Sequence, residues 1–332
     1  MHQILLLCGG GGSEHDISLT SADFLKQELD KIPGVSVTQV ILQKDRWELM
    51  DGTPCFLNGS RQLVAGDRDI AAIDYAVPCI HGYPGETGDI QSYFEMIGLP
   101  YMGSPSEGSK LCFNKVSTKL WLSSLEIPNT PFVFLSENTQ AAQAQAFQAM
   151  RKWGSVFVKA ASQGSSVGCY QVTDLGKLSE TISKAFEYSQ HVLVEKAEKP
   201  RELEVAVYEY KGQLIATRPG EILTDSSTFY TFEEKYSASS HATTATEAAN
   251  LTQQQLDQIM TYAIKAFTHL KLKDLSRIDF FLTEDGQILL NEINTFPGMT
   301  PISMFPKMLA NHGENMRDYL KDRIETALKI AL

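Results

Sequence analysis

Cysteine is scarce in this 332-residue chain, and the five present (Cys8, Cys55, Cys79, Cys112 and Cys169) are odd in number, far apart and never in a Cys-x-x-Cys pair. That argues against a disulfide framework and predicts buried thiols in a reducing compartment. Long apolar runs are missing too. The run 4–8 is too short for a signal-peptide core or a membrane span, and nothing later approaches about 18 apolar residues. Positive charge is in deficit, with 29 Lys and Arg against 40 Asp and Glu, a net charge of −11 and a pI near 5.2. Bulk attraction to a phosphate backbone is therefore disfavoured, and no nucleic-acid partner is expected. The chain also lacks internal repeats, low-complexity tracts and sustained heptads. What remains, 43% hydrophobic and 21% charged, is the composition of a folded cytoplasmic protein with two or three cored domains.

The most informative stretch lies near the C-terminus. Residues 276–282 and 287–293 read as two strands of a hairpin around Glu284-Asp285-Gly286. Asp279 interrupts Ile278, Phe280 and Phe281, while Glu292 and Asn294 flank Ile293 and, standing two apart, share one strand face. A carboxylate in so apolar a run is costly to bury alone, so Asp279 and Glu292 are expected to share a cation. Two carboxylates and an amide carbonyl suit magnesium that is also held by phosphate. The same residues also fit a buried Arg277–Asp279 salt bridge with Glu292 at a solvated strand end. Phe296-Pro297-Gly298-Met299-Thr300-Pro301 then forms a rigid turn whose glycine lets the backbone approach a ligand.

Upstream, a strand over 3–8 runs into Gly9-Gly10-Gly11-Gly12-Ser13-Glu14-His15-Asp16 and a helix over 17–29, with Ser13 or Asp16 as cap. The loop matches neither a dinucleotide fingerprint nor a Walker A motif. Glu14 suits either an ammonium group or the positive end of the helix. Strands over 37–42 and 74–80 follow, the second opening at His81-Gly82 into another glycine-rich loop before a helix over 90–97. Such loops line the ligand crevice of open α/β sheets, although a lone His81 also reads as a structural loop histidine. Residues 47–69 read as a small hairpin or insertion. A single helix over 106–125 carries Lys110, Lys115 and Lys119, and strands over 132–135, 156–160 and 191–195 alternate with helices over 139–153 and 174–188. Lys159 precedes a Ser/Gly loop, 160–168, that offers polyphosphate a point charge and free N–H groups; a polar turn with a snorkelling lysine is the alternative. A hairpin around Lys211-Gly212, a polar stretch over 218–250, and helices over 251–270 and 314–330 complete the chain. So long an irregular stretch inside a compact unit is read as a lid or as disorder.

The set formed by 9–18, 81–88, 159–168, 195–204, Lys235-Tyr236, 277–281, 291–300 and Ser303 resembles the ATP-grasp superfamily and, within it, the D-alanine–D-alanine ligase family. Gly12, Thr87 and Ala160 depart from the residues usual there, namely Ser, Asp and Pro. The resemblance implies an α/β fold of three domains: a Rossmann-like parallel-sheet unit over 1–103, and two α+β units over 104–199 and 200–332 that clasp ATP. It implies that Lys115 and Lys159 hold phosphates, that Glu195, Lys196 and Glu198 face adenine, and that Glu202 faces the ribose. Asp279, Glu292 and Asn294 would hold two magnesium or manganese ions. Glu14, His81 and Ser165 would position a first D-alanine, Ser303 the carboxylate of a second, and Arg277 with the Gly298 N–H the reacting oxyanion. Lys235 and Tyr236 of the 218–250 lid would close the site and favour peptide over ester, with His241 a solvated loop residue. A homodimer is the implied assembly. Ligation to D-lactate or D-serine, or a regulatory nucleotide binder that has lost the reaction, are the rivals.

Overall fold

The computed structural model describes residues 1–223 and 243–332. The first sheet takes β1 (His2–Gly9), β2 (Val35–Leu42), β3 (Trp47–Leu49), β4 (Pro54–Leu57), β5 (Gln62–Ala65), β6 (Arg68–Ala72) and β7 (Tyr75–Cys79) in the order β6-β5-β4-β3-β2-β1-β7. Only β2, β1 and β7 run parallel. The continuous apolar run of β1, wholly inaccessible from Ile4 to Cys8, is what a strand covered on both faces requires. The segment expected to be a small insertion instead extends the same sheet as antiparallel hairpins, so the sheet is mixed rather than purely parallel. Its strands β4 and β5 alternate buried and accessible residues, the pattern of a half-covered antiparallel edge.

Between β1 and β2 lies α1 (His15–Leu29), and after β7 comes α2 (Asp89–Met96). Neither Ser13 nor Asp16 caps α1; Glu14 occupies the cap position without a side-chain cap bond, and the Gly11 N–H is taken up by His15 Nδ1. The expected helix over 106–125 is two helices, α3 (Ser106–Phe113) and α4 (Lys115–Ser124). Asn114 breaks it by turning extended and accepting the Ser117 N–H on its side chain, an N-cap hidden within a helical pattern. The break sets Lys115 at the first turn of α4.

The second sheet, ordered β10-β9-β11-β8, is antiparallel and contains β8 (Phe132–Leu135), β9 (Val156–Ala160), β10 (Cys169–Val172) and β11 (Val192–Lys196). Helices α5 (Gln140–Trp153) and α6 (Leu178–Phe186) pack their apolar stripes on one face of it. Near α4, Val116 packs against Leu193 and Phe132 of this sheet, and Lys119 reaches Glu195.

In the third sheet, β12 (Arg201–Tyr210) sits centrally, flanked by β14 (Gly220–Leu223) and β16 (Leu275–Leu282). Beyond these lie β15 (Thr243–Ala245) and β17 (Ile288–Asn294), and β13 (Gln213–Ala216) also pairs with β12. Thus both flanks of the stretch expected to be irregular form paired strands. Helices α7 (Gln253–His269), α8 (Met304–His312) and α9 (Met316–Leu328) follow, α7 opening on a Thr252/Gln255 capping box. The sequence reading does not anticipate α8, because prolines surround it; Pro306 is tolerated since it falls in the first turn. One core joins β1, α1 and β7 to Tyr208, Phe305 and Tyr319 of the third sheet's layer. Buried Asp274 fastens that junction by accepting the Gly103 N–H at 2.8 Å and a guanidinium bond from Arg323 at 3.3 Å. Among the described residues no helix is long and apolar enough to cross a membrane.

Candidate active site

Strand alternation sorts β16 cleanly: Ile278, Phe280 and Leu282 go to the core, while Arg277, Asp279 and Phe281 face the other way. Register then lines up carboxylates from three neighbouring strands, with Glu204 of β12 opposite Asp279 and Asp279 opposite Glu292 of β17. Like charges abreast repel unless a cation intervenes. Arg277 supplies part of that charge through a two-pronged bond to Asp279, at 2.8 and 2.7 Å, and an ion pair to Glu204 at 3.3 Å. Burial would lower the Arg277 pKa, but Asp279, Glu204 and Glu292 lift it well above its usual value. Asn294 donates to Asp279 at 3.0 Å, which brings its amide to the same cluster. A bulge follows Asp279 and is absorbed by Asn291, so that Glu292 and Asn294 keep the face of Asp279.

Among the described residues no three His, Cys, Asp or Glu side chains form a ready-made metal cage. The candidate set is two carboxylates and an amide. These hard oxygen donors fit magnesium or manganese.

On the second sheet the sign reverses. Glu195 of β11 is buried between Lys159 Nζ of β9 at 2.6 Å and Lys119 Nζ of α4 at 3.2 Å. Burial alone would raise the Glu195 carboxyl, yet the two ammonium charges and their hydrogen bonds hold it at about 2. Burial likewise depresses both lysines; for Lys159 the Glu195 charge outweighs it and the pKa is raised, whereas Lys119 stays lowered with the Lys159 charge beside it. Lys119 has no role in the sequence reading, though its place four residues after Lys115 puts both on one helical face. Lys115 itself donates to the Gln163 carbonyl at 2.6 Å and so braces the Ser/Gly loop. Lys196 pairs with Glu198 at 2.7 Å just beyond the strand. Glu202 lies two residues before Glu204 on β12, opposite Phe281.

The loops of the first two sheets meet at Glu14, which accepts the Ser165 hydroxyl at 2.5 Å. Ser165 and Ser166 both adopt the left-handed conformation, with φ of 47° and 62°. Gly164 lies close beside them, and a Cβ there would stand 3.1 Å from the Glu14 carboxylate. His81 is buried, with Ser21 Oγ 3.1 Å from its Nε2. Thr300 donates to Ser303 Oγ from its N–H at 3.1 Å, and Ser303 stands at the N-terminus of α8 directly under Gly298. One cavity is lined by Glu86, Lys115, Gln163, Gly164, Glu292 and Asn294, among others. Glu86 belongs to the 81–88 stretch, where nothing in the sequence gives it a role of its own. Its carboxyl, pushed up to about 8 by burial and then by Glu14 and Glu292, accepts the Gly82 N–H at 2.8 Å. Lys235, Tyr236 and His241 lie outside the described residues.

Three sheets that bring a lysine-flanked Ser/Gly loop against an acidic hairpin define an ATP-grasp architecture. The family descriptions "D-ala D-ala ligase N-terminus" and "D-ala D-ala ligase C-terminus" match residues 3–104 and 121–325. A D-alanine–D-alanine ligase of Tolumonas auensis is 64% identical over 326 residues, covering 98% of both chains. The solved D-alanyl-alanine synthetase A of Vibrio cholerae superposes with a TM-score of 0.95 at 52% identity, covering 99% of this chain and 98% of the other. That of the Aeromonas hydrophila D-alanine–D-alanine ligase gives 0.84 at 55%, covering 97% and 99%. This chain belongs to the D-alanine–D-alanine ligase family.

Proposed function

We propose that the protein joins two D-alanine molecules to D-alanyl-D-alanine at the expense of ATP, releasing ADP and phosphate, for peptidoglycan precursor synthesis. The observation that carries this reading is the single cavity in which Lys115 and the Ser/Gly loop stand opposite Glu292 and Asn294. A polyphosphate needs the first wall and its counter-cations need the second.

In this reading the units 1–103, 104–199 and 200–332 clasp the substrates between them. Lys115 and Lys159 neutralise the phosphates; Glu195, Lys196 and Glu198 line the adenine side, Glu195 also ordering the Lys159 ammonium; Glu202 meets the ribose. Asp279, Glu292 and Asn294 would hold two magnesium or manganese ions, which when bound neutralise charge on the terminal phosphates. Glu14 takes the ammonium of the first D-alanine, with Ser165 keeping its carboxylate oriented. The carboxylate of that D-alanine attacks the γ-phosphorus, giving D-alanyl phosphate and ADP. The amine of the second D-alanine, its carboxylate held by Ser303 at the α8 N-terminus, adds to the acyl carbon and expels phosphate with loss of a proton. Arg277 and the Gly298 N–H stabilise the oxygen charge that develops in both steps. Water must be kept from the acyl phosphate, the task assigned to the 218–250 lid with Lys235 and Tyr236. A homodimer in the cytoplasm fits the family and the free thiols.

The test is phosphate release dependent on ATP and D-alanine, with products separated by mass in competition with D-lactate and D-serine at neutral and alkaline pH. Dipeptide as the dominant product is expected, rising with pH as the amine loses its proton. Dominant ester at neutral pH, a D-serine product or no turnover would each replace this reading with one of its rivals.

A further inference from the structure

We infer that Ser21 of α1 is a positioning residue that sets the Gly298–Met299 peptide, and that His81 serves the same assembly as a strut. Ser21 is wholly buried, and its hydroxyl is the meeting point of three segments far apart in sequence. The Met299 N–H donates to Ser21 Oγ at 3.2 Å across 278 residues of chain, and His81 Nε2 lies 3.1 Å away across 60.

Oγ accepts the Met299 N–H, and among the described residues its own proton has one recorded acceptor, His81 Nε2 in the neutral ring. The Phe296 backbone beside the ring favours its protonated form, as a carbonyl facing a ring N–H does. Burial favours this neutral ring; Glu14 opposes the shift and Arg277 adds to it. Nε2 is engaged within the protein, so His81 links Ser21 and the 295–299 turn to the loop that follows β7. Gly298, whose N–H meets the reacting oxygen in the function proposed above, is the residue next to the Met299 amide. It has little room to shift, because even a Cβ at Gly298 would come within 3.0 Å of Ser303 Oγ. The inference rests on that functional reading, since it concerns the alignment of the same N–H.

A matched control lies one turn earlier on the same helix. Ser18 is equally buried, accepts the Gly9 N–H and donates to the Cys79 carbonyl, and its hydroxyl bonds there and not to the 295–301 turn. Steady-state dipeptide formation should be compared in wild type, Ser21→Ala, Ser18→Ala and Ser21→Thr. A displacement of about 1 Å at a reacting group costs on the order of 10²-fold. Ser21→Ala should lower kcat by about that factor, with KM for ATP changed less than about twofold; Ser18→Ala should lower kcat far less for a similar fall in Tm; Ser21→Thr should restore most of the rate. If Ser21→Ala does not fold, Ser21→Cys, with its weak donor, carries the same comparison. A Ser21→Ala enzyme with near-wild-type kcat, or equal kcat losses at Ser18 and Ser21, overturns the inference. A wild-type protein that makes no dipeptide overturns the functional reading instead.

Discussion

At the β9–β11 wall two ammonium groups surround one carboxylate, whereas at the β12–β16–β17 wall one guanidinium stands among three carboxylates, Glu204, Asp279 and Glu292. The two walls are near enough that the charge of Glu292 helps to raise Lys159. Each is a buried ionic cluster with an excess of one sign among its described side chains. Charge left over in a desolvated setting is expensive unless a ligand of opposite sign completes it. In the function proposed above, phosphate would complete the lysine wall and divalent cations the acid wall, so the imbalance that weakens each cluster as structure would fit it for binding.

The sharpest way to break this comparison is to remove the acid excess. Asp279→Asn and Glu292→Gln should each abolish ligation while circular dichroism shows the fold intact. Either variant turning over near the wild-type rate at limiting magnesium would return the hairpin to a structural role. Next in size is the lone cation of that wall. Arg277→Met should lower kcat by about 10²–10³, roughly 2.7–4 kcal/mol, as expected for a lost oxyanion donor. ATP affinity should fall much less; equal losses would mark Arg277 as the structural partner of Asp279 and Glu204 alone.

On the lysine wall the first readout is stability. Glu195→Gln leaves Lys119 and Lys159 buried without their anion, which typically costs about 3–5 kcal/mol. Because the folded carboxyl is held at about 2, against 4.5 as its ordinary value, this contribution is present above 4.5 and is lost as pH falls toward 2. Thermal melts of wild type and Glu195→Gln should therefore converge in that acid window; a constant gap down to pH 2 would deny the lysine clamp. The smallest effect belongs to Glu86, which sits between the walls. Its carboxyl binds a proton up to about 8 in the folded state, against 4.5 ordinarily, so the folded protein holds more protons and stability falls as pH rises through that interval. Glu86→Gln should flatten the metal-free Tm profile between those limits, and an unchanged slope would show that burial, with Glu14 and Glu292 beside it, does not raise the Glu86 carboxyl.

Local pattern carried much of this molecule. Alternation around Ile293 puts Glu292 and Asn294 on one strand face, because a strand's period of two is a property of the backbone; the β16–β17 register is what brings Asp279 opposite Glu292. Glycine-rich loops at strand ends located Glu14, His81 and Ser165 for a similar reason. Asn114 is not legible as a helix break, because the cap is a single side chain inside an otherwise continuous apolar period. Nor is α8 legible, because proline is a stop signal except in a first turn.

Other features could only be decided in three dimensions. That Glu204 stands opposite Asp279 depends on β12 pairing with β16, and that Glu195 lies between two lysines depends on α4 packing over β9 and β11. Ser21 looks like any other small residue of a helix until the fold carries Met299 to it from 278 residues away. A sequence states which faces and turns its residues favour locally; which charges become neighbours is set by strand order and packing, where contacts are long-range and one side chain's partner is another's choice of register.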